Sequence, residues 1–98
     1  MNFKIILIIL ISLYITNTHA KNERIIIAST TSTYDTGLMK YLNKKFYENF
    51  NITVNVLSLG TGQAIEIAKN GDADILLVHD TISENKFVKE GFGIKRHK

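Results

Sequence analysis

Arg24-Ile25-Ile26-Ile27-Ala28 is a short, unbroken apolar run, three of its five residues isoleucine, and it runs straight into Ser29-Thr30-Thr31-Ser32-Thr33. A continuous β-branched run of this length suits a strand buried on both faces, the pattern of parallel sheets. The polar stretch Ser29 to Thr36 then reads as the loop leaving that strand. Beyond it Leu38, Leu42, Phe46 and Phe50 recur every four residues, with Met39 beside them and Lys40, Lys44, Lys45 and Glu48 between, which predicts an amphipathic helix. Ile52 to Leu59 alternates and is rich in β-branched residues, so a second strand follows.

The alternation of strand and helix continues. Gly60-Thr61-Gly62 leads into a short helix marked by Ala64, Ile65 and Ala68 and closed by Asn70-Gly71. Ala73 to Val78 predicts a third buried strand. Thr81-Ile82-Ser83-Glu84 fits a capping box, with Thr81 as N-cap, opening a helix that Gly91 closes. The order βαβαβα with short connections predicts an α/β fold with a doubly wound parallel sheet. In such sheets ligands bind beyond the carboxyl ends of the strands, at a topological switch point. Three segments fall there: Ser29 to Thr36, Gly60 to Gln63, and His79 to Thr81.

Upstream, Lys4 precedes the 11-residue run Ile5 to Ile15, and Thr18-His19-Ala20 resembles a small-x-small cleavage site. Residues 1–20 are expected to be a signal peptide, cleaved after Ala20. Eleven helical residues cover only about half of a ~30 Å hydrocarbon core, which argues against a membrane span. Residues 21–98 hold 11 basic and 9 acidic residues, a net of +2, so no basic stripe points to nucleic acid. The closing run Lys95-Arg96-His97-Lys98 reads as a solvated end. Cysteine is absent, which excludes disulfides, thiolate metal sites and a lipid on a mature N-terminal cysteine. The expected location is the periplasm.

The hydroxyl run is the strongest chemical feature. Each hydroxyl is a donor that can rotate toward a bound oxygen. Helix N-termini add N–H groups and partial positive charge. Capping and turn chemistry would also account for some of these residues. The Gly60-Thr61-Gly62 turn matches neither a Walker A loop nor a Gly-x-Gly-x-x-Gly fingerprint, so a nucleotide is disfavoured. His79-Asp80 allows an acid–base reading, but no nucleophile motif accompanies it. The simpler reading is a strand end with Asp80 near a helix N-terminus. His19, His79 and His97 lack metal-ligand spacing.

Taken together, Ser29-Thr30-Thr31-Ser32-Thr33-Tyr34-Asp35-Thr36-Gly37-Leu38, Gly60-Thr61-Gly62-Gln63-Ala64 and Asn70-Gly71-Asp72-Ala73-Asp74 through His79-Asp80 resemble three segments of tungstate-binding proteins of ABC transporters. Glu84, Lys86-Phe87-Val88 and Gly91-Phe92-Gly93 continue the match. Ser29 departs from the threonine at its place in the family motif but keeps the hydroxyl.

The resemblance implies a type II periplasmic-binding-protein fold, of which residues 21–98 form the N-terminal part of the first lobe. It implies an oxyanion ligand, tungstate or alternatively molybdate, held by Thr30, Thr31, Ser32, Thr61 and Gly62 as an oxyanion and not as a bare metal cation. It further implies an ABC permease as partner, a monomer, no cofactor and no catalysis. The family arginine that contacts the anion and the second lobe would lie beyond Lys98, so a fragment without function of its own is a competing expectation. A small exported enzyme using His79 and Asp80 is another.

Overall fold

The structure, a computed structural model, describes residues 2–6 and 23–98. The expected cleavage site after Ala20, and the expected signal segment apart from residues 2–6, lie outside the described residues. From Glu23 the elements run β1 (Glu23–Thr30), α1 (Thr31–Tyr34), α2 (Leu38–Phe50), β2 (Ile52–Leu59), α3 (Thr61–Lys69), β3 (Ile75–Leu77) and α4 (Thr81–Lys89). The three strands form one sheet in the order β2-β1-β3, with both pairings parallel. The chain leaves β1 toward one side for β2, then crosses back over β1 to reach β3. Right-handed crossovers therefore put α2 and α3 on opposite faces, and the switch point falls between β1 and β3. This is the doubly wound parallel α/β arrangement that the sequence predicts.

As the central strand, β1 carries most of the core. Ile27, Ala28, Ser29 and Thr30 are buried, joined by Ala64 of α3 and Phe87 of α4. The strand runs two residues further than the apolar run predicts, so Ser29 and Thr30 are strand and not loop. β2 keeps the predicted bounds.

By contrast, β3 shrinks to three residues, and Ile75 and Leu77 are exposed rather than buried. Its upstream extension is replaced by Asp74. That residue's Oδ2 accepts the Ile26 N–H at 2.8 Å, and its own N–H donates to the Ile26 carbonyl at 2.8 Å. A carboxylate thus takes one place of a ladder carbonyl, and pairing begins only at Ile27 and Ile75.

In α2 the predicted stripe is only partly the buried one. Leu38 is 57% exposed and Phe50 63% exposed, while Met39, Asn43 and Phe46 are half-buried. A four-residue repeat gains about 40° on the 3.6-residue turn at each step, so a stripe of four drifts off the face it starts on.

Helix ends follow local chemistry closely. α3 ends in a Schellman motif: Gly71, at φ 79°, donates to the Ala68 carbonyl and Asp72 to that of Ile67. α4 ends the same way through Gly91 and Phe92, and the Phe92 ring packs on Phe87 with centroids 5.8 Å apart. Gly93 has a steric reason to be glycine, since a Cβ there would lie 2.9 Å from the Phe87 ring.

The start of α4 differs from expectation by one residue. The N-cap is Asp80, not Thr81; its carboxylate accepts the Ser83 N–H at 3.2 Å and the Ser83 hydroxyl at 2.7 Å. Glu84 still reaches back, accepting the Asp80 N–H at 3.1 Å. An anionic cap gains from the helix dipole where a threonine would not.

A candidate oxyanion site at the switch point

Parallel register brings Thr30, Leu59 and Leu77, the last residues of the three strands, to one edge of the sheet. The three predicted segments therefore leave from the same edge. Their residues do different things there.

Ser29 is fully buried and its hydroxyl donates to the Leu77 carbonyl at 2.8 Å. It staples β1 to β3 and is turned away from the edge. Of the five hydroxyls read as donors to a ligand, this one is spent inside the sheet.

Thr30 is 4% exposed and stands at the N-cap position of α1, yet its side chain caps no backbone N–H. Its Oγ1 lies 3.2 Å from Ser32 Oγ and 2.9 Å from Thr33 Oγ1. Ser32 Oγ lies in turn 3.3 Å from His79 Nε2, across the β1–β3 switch point. Four side chains from two segments thus form one chain of hydrogen bonds, Thr33–Thr30–Ser32–His79. Thr31 is exposed, and its hydroxyl makes no hydrogen bond among the described residues.

Asp35 does not cap the following helix. That helix starts from Gly37, at φ 78°, and the Leu38 N–H goes to Thr36 Oγ1 at 3.3 Å. Asp35 instead closes α1 through its backbone N–H to the Thr31 carbonyl. A hydroxyl one residue nearer the helix reaches the first free N–H more easily.

On the second segment, Gly60 is the N-cap of α3 and Thr61 its first residue; no side chain caps this end. Thr61 makes no side-chain hydrogen bond among the described residues and is half-buried. A Cβ on Gly62 would meet nothing within 4 Å. Protein packing therefore does not demand glycine at that position. Two open cavities, of about 330 and 250 Å³, lie beside α2 rather than at this edge. With Thr31 and Ser32 exposed, the hydroxyl cluster forms a shelf open to solvent.

Asp80 is held below its ordinary carboxylate pKa of 3.8, first by the Ser83 hydroxyl, then by the Ser83 N–H, with His79 contributing least. Its charge is occupied in capping. Arg96, expected to be a solvated end, instead donates from Nε to Glu84 Oε2 at 2.6 Å and from Nη2 to Thr81 Oγ1 at 3.4 Å. Among the described residues no group of three His, Cys, Asp or Glu side chains could hold a metal ion, and no helix is long and apolar enough to cross a membrane.

His79 joins the cluster from a position that in the sequence is no more than a strand end. The signal that could have found it is topological: in the order 2-1-3 the segments after strands one and three are neighbours.

A parallel sheet with hydroxyl groups gathered at its switch point fits the PBP superfamily, and the chain belongs to it: the superfamily's domain model matches residues 16–98. Within that family it is similar to the tungstate-binding protein TupA of Peptoclostridium acidaminophilum, at 47% identity over 79 residues, covering 81% of this chain and 27% of the relative. Among solved structures it is similar to the tungstate-binding protein TupA of Desulfovibrio alaskensis G20, at TM-score 0.71 and 41% identity over 72% of this chain and 28% of that one. A tungstate ABC transporter structure from Geobacter sulfurreducens matches at TM-score 0.71 and 44% identity, covering 74% and 32%. The chain spans about a quarter of the length of the curated relatives it matches.

Proposed function

We propose that this chain supplies the first-lobe half of a tungstate receptor, the extracytoplasmic solute-binding component of an ABC importer. Thr31, Ser32, Thr61 and Gly62 contact the anion on this reading, with the buried Thr30 supporting Ser32 from behind. Residues 1–20 are an export signal, cut after Ala20, that delivers the chain to the periplasm, where it works as a monomer with a membrane permease. It has no catalytic role.

The observation that carries the reading is the Thr33–Thr30–Ser32–His79 chain at the switch point, beside which Asp80 turns its carboxylate to its own helix. Tungstate is a fully deprotonated dianion near neutral pH and takes donors only. Hydrogen phosphate carries a proton and gains from an acceptor. Isothermal titration of the full-length protein with tungstate, molybdate, sulfate and phosphate tests this. Tungstate should bind most tightly and phosphate least; binding of none of the four, or of phosphate best, sinks the reading.

A further inference from the structure

One end of the hydroxyl chain is a histidine. Ser32 has a single hydroxyl proton and two neighbours within hydrogen-bond distance, Thr30 Oγ1 at 3.2 Å and His79 Nε2 at 3.3 Å. An imidazole nitrogen is either a donor or an acceptor, according to the tautomer. If Nε2 accepts, the Ser32 proton is spent on the ring, and Ser32 offers a bound anion only lone pairs. If Nε2 carries the hydrogen, Ser32 accepts from it and keeps its own proton for a third partner.

Thr30 has the means to complete this pattern from the other side. It is buried, so its proton stays within the cluster; with Thr33 donating to Thr30 and Thr30 to Ser32, Ser32 accepts from both neighbours and its own proton is left over. Ser32 is exposed at the shelf, so its proton is the one that faces outward. Aligned hydrogen bonds of this kind also polarise one another.

We infer that His79 is a positioning residue of the oxyanion site: its Nε2–H donates to Ser32 Oγ and so frees the single Ser32 proton for the bound oxyanion. This inference rests on the oxyanion reading above. The charged group beside the ring is Asp80, and its carboxylate is directed to Ser83, so it does not compete for Nε2.

The test has two parts on the full-length protein. Ring ¹⁵N NMR of His79 at about pH 8.5, where an ordinary imidazole is neutral, should show the hydrogen on Nε2. Titration with sodium tungstate should find His79→Ala weaker by about tenfold or more, the loss expected for one hydrogen bond to a charged group. His79→Gln, whose amide N–H₂ can still donate to Ser32, should recover affinity to within about threefold of wild type. A hydrogen on Nδ1, an unchanged affinity in His79→Ala, or a Gln variant no better than Ala overturns the inference. The NMR result stands even if a variant fails to fold. A wild-type protein that binds no tungstate overturns the oxyanion reading itself, an outcome distinct from these.

Discussion

Arg96 Nε lies 2.6 Å from Glu84 Oε2, and both side chains are less than a quarter exposed. The second Glu84 oxygen accepts the Asp80 N–H, so a residue near the chain's last position holds the start of α4 from outside. Removing the guanidinium leaves a part-buried carboxylate with one partner fewer. Arg96→Ala should lower unfolding free energy by about 1–3 kcal/mol, measured by urea denaturation. Arg96→Lys should fall between, since an ammonium cannot reproduce the fork that also reaches Thr81. Equal stability of all three would show the pair to be solvent-exchanged and without weight.

Ser29 and Ser32 lie three residues apart and should behave oppositely. Ser29→Ala removes a buried donor from the Leu77 carbonyl and should cost about 1 kcal/mol of stability. Tungstate affinity of the folded protein should be unchanged. Ser32→Ala, at an exposed position, should leave the melting temperature nearly unchanged and weaken tungstate binding by about 1–3 kcal/mol. Titration calorimetry and thermal denaturation on the same samples separate the two; loss of affinity in Ser29→Ala would place that hydroxyl in the site after all.

The Asp80 cap makes a statement about acid. Its folded-state pKa is depressed, chiefly by the Ser83 hydroxyl and N–H. A depressed carboxylate stabilises the fold fully above its unfolded pKa, and that contribution is lost as pH falls through the lower folded value. The stability gap between wild type and Asp80→Asn should therefore be constant from neutral pH down to about pH 4 and shrink below it. Denaturation curves at a series of pH values check this, and a gap that widens on acidification contradicts it.

Element order and identity were legible because RIIIA and ITVNVLSL carry their pattern locally, and because Gly71 and Gly91 announce helix ends by their need for positive φ. What the sequence hid was long-range. Whether Ser29 faces ligand or neighbouring strand depends on Leu77, 48 residues away, and the partner of Ser32 is His79, 47 residues away. Nothing within a short window distinguishes those two serines. Asp74 shortening β3 and Arg96 reaching Glu84 are hidden in the same way, since each is a side chain borrowed by a distant backbone or carboxylate.

Gly62 offers the cleanest separation of fold from function. It sits in the first turn of α3, and a Cβ there meets only open space. Alanine is favoured over glycine inside a helix by up to about 1 kcal/mol, less near the end. Gly62→Ala should therefore leave stability unchanged or raise it. If the space in front of Gly62 is where the anion's oxygens approach the backbone, the added methyl takes up that space and tungstate affinity should fall by about tenfold. Thermal denaturation and tungstate titration of the same variant give both numbers. A stabilised protein with undiminished affinity would remove Gly62 from the site while leaving the Ser32–His79 arrangement intact.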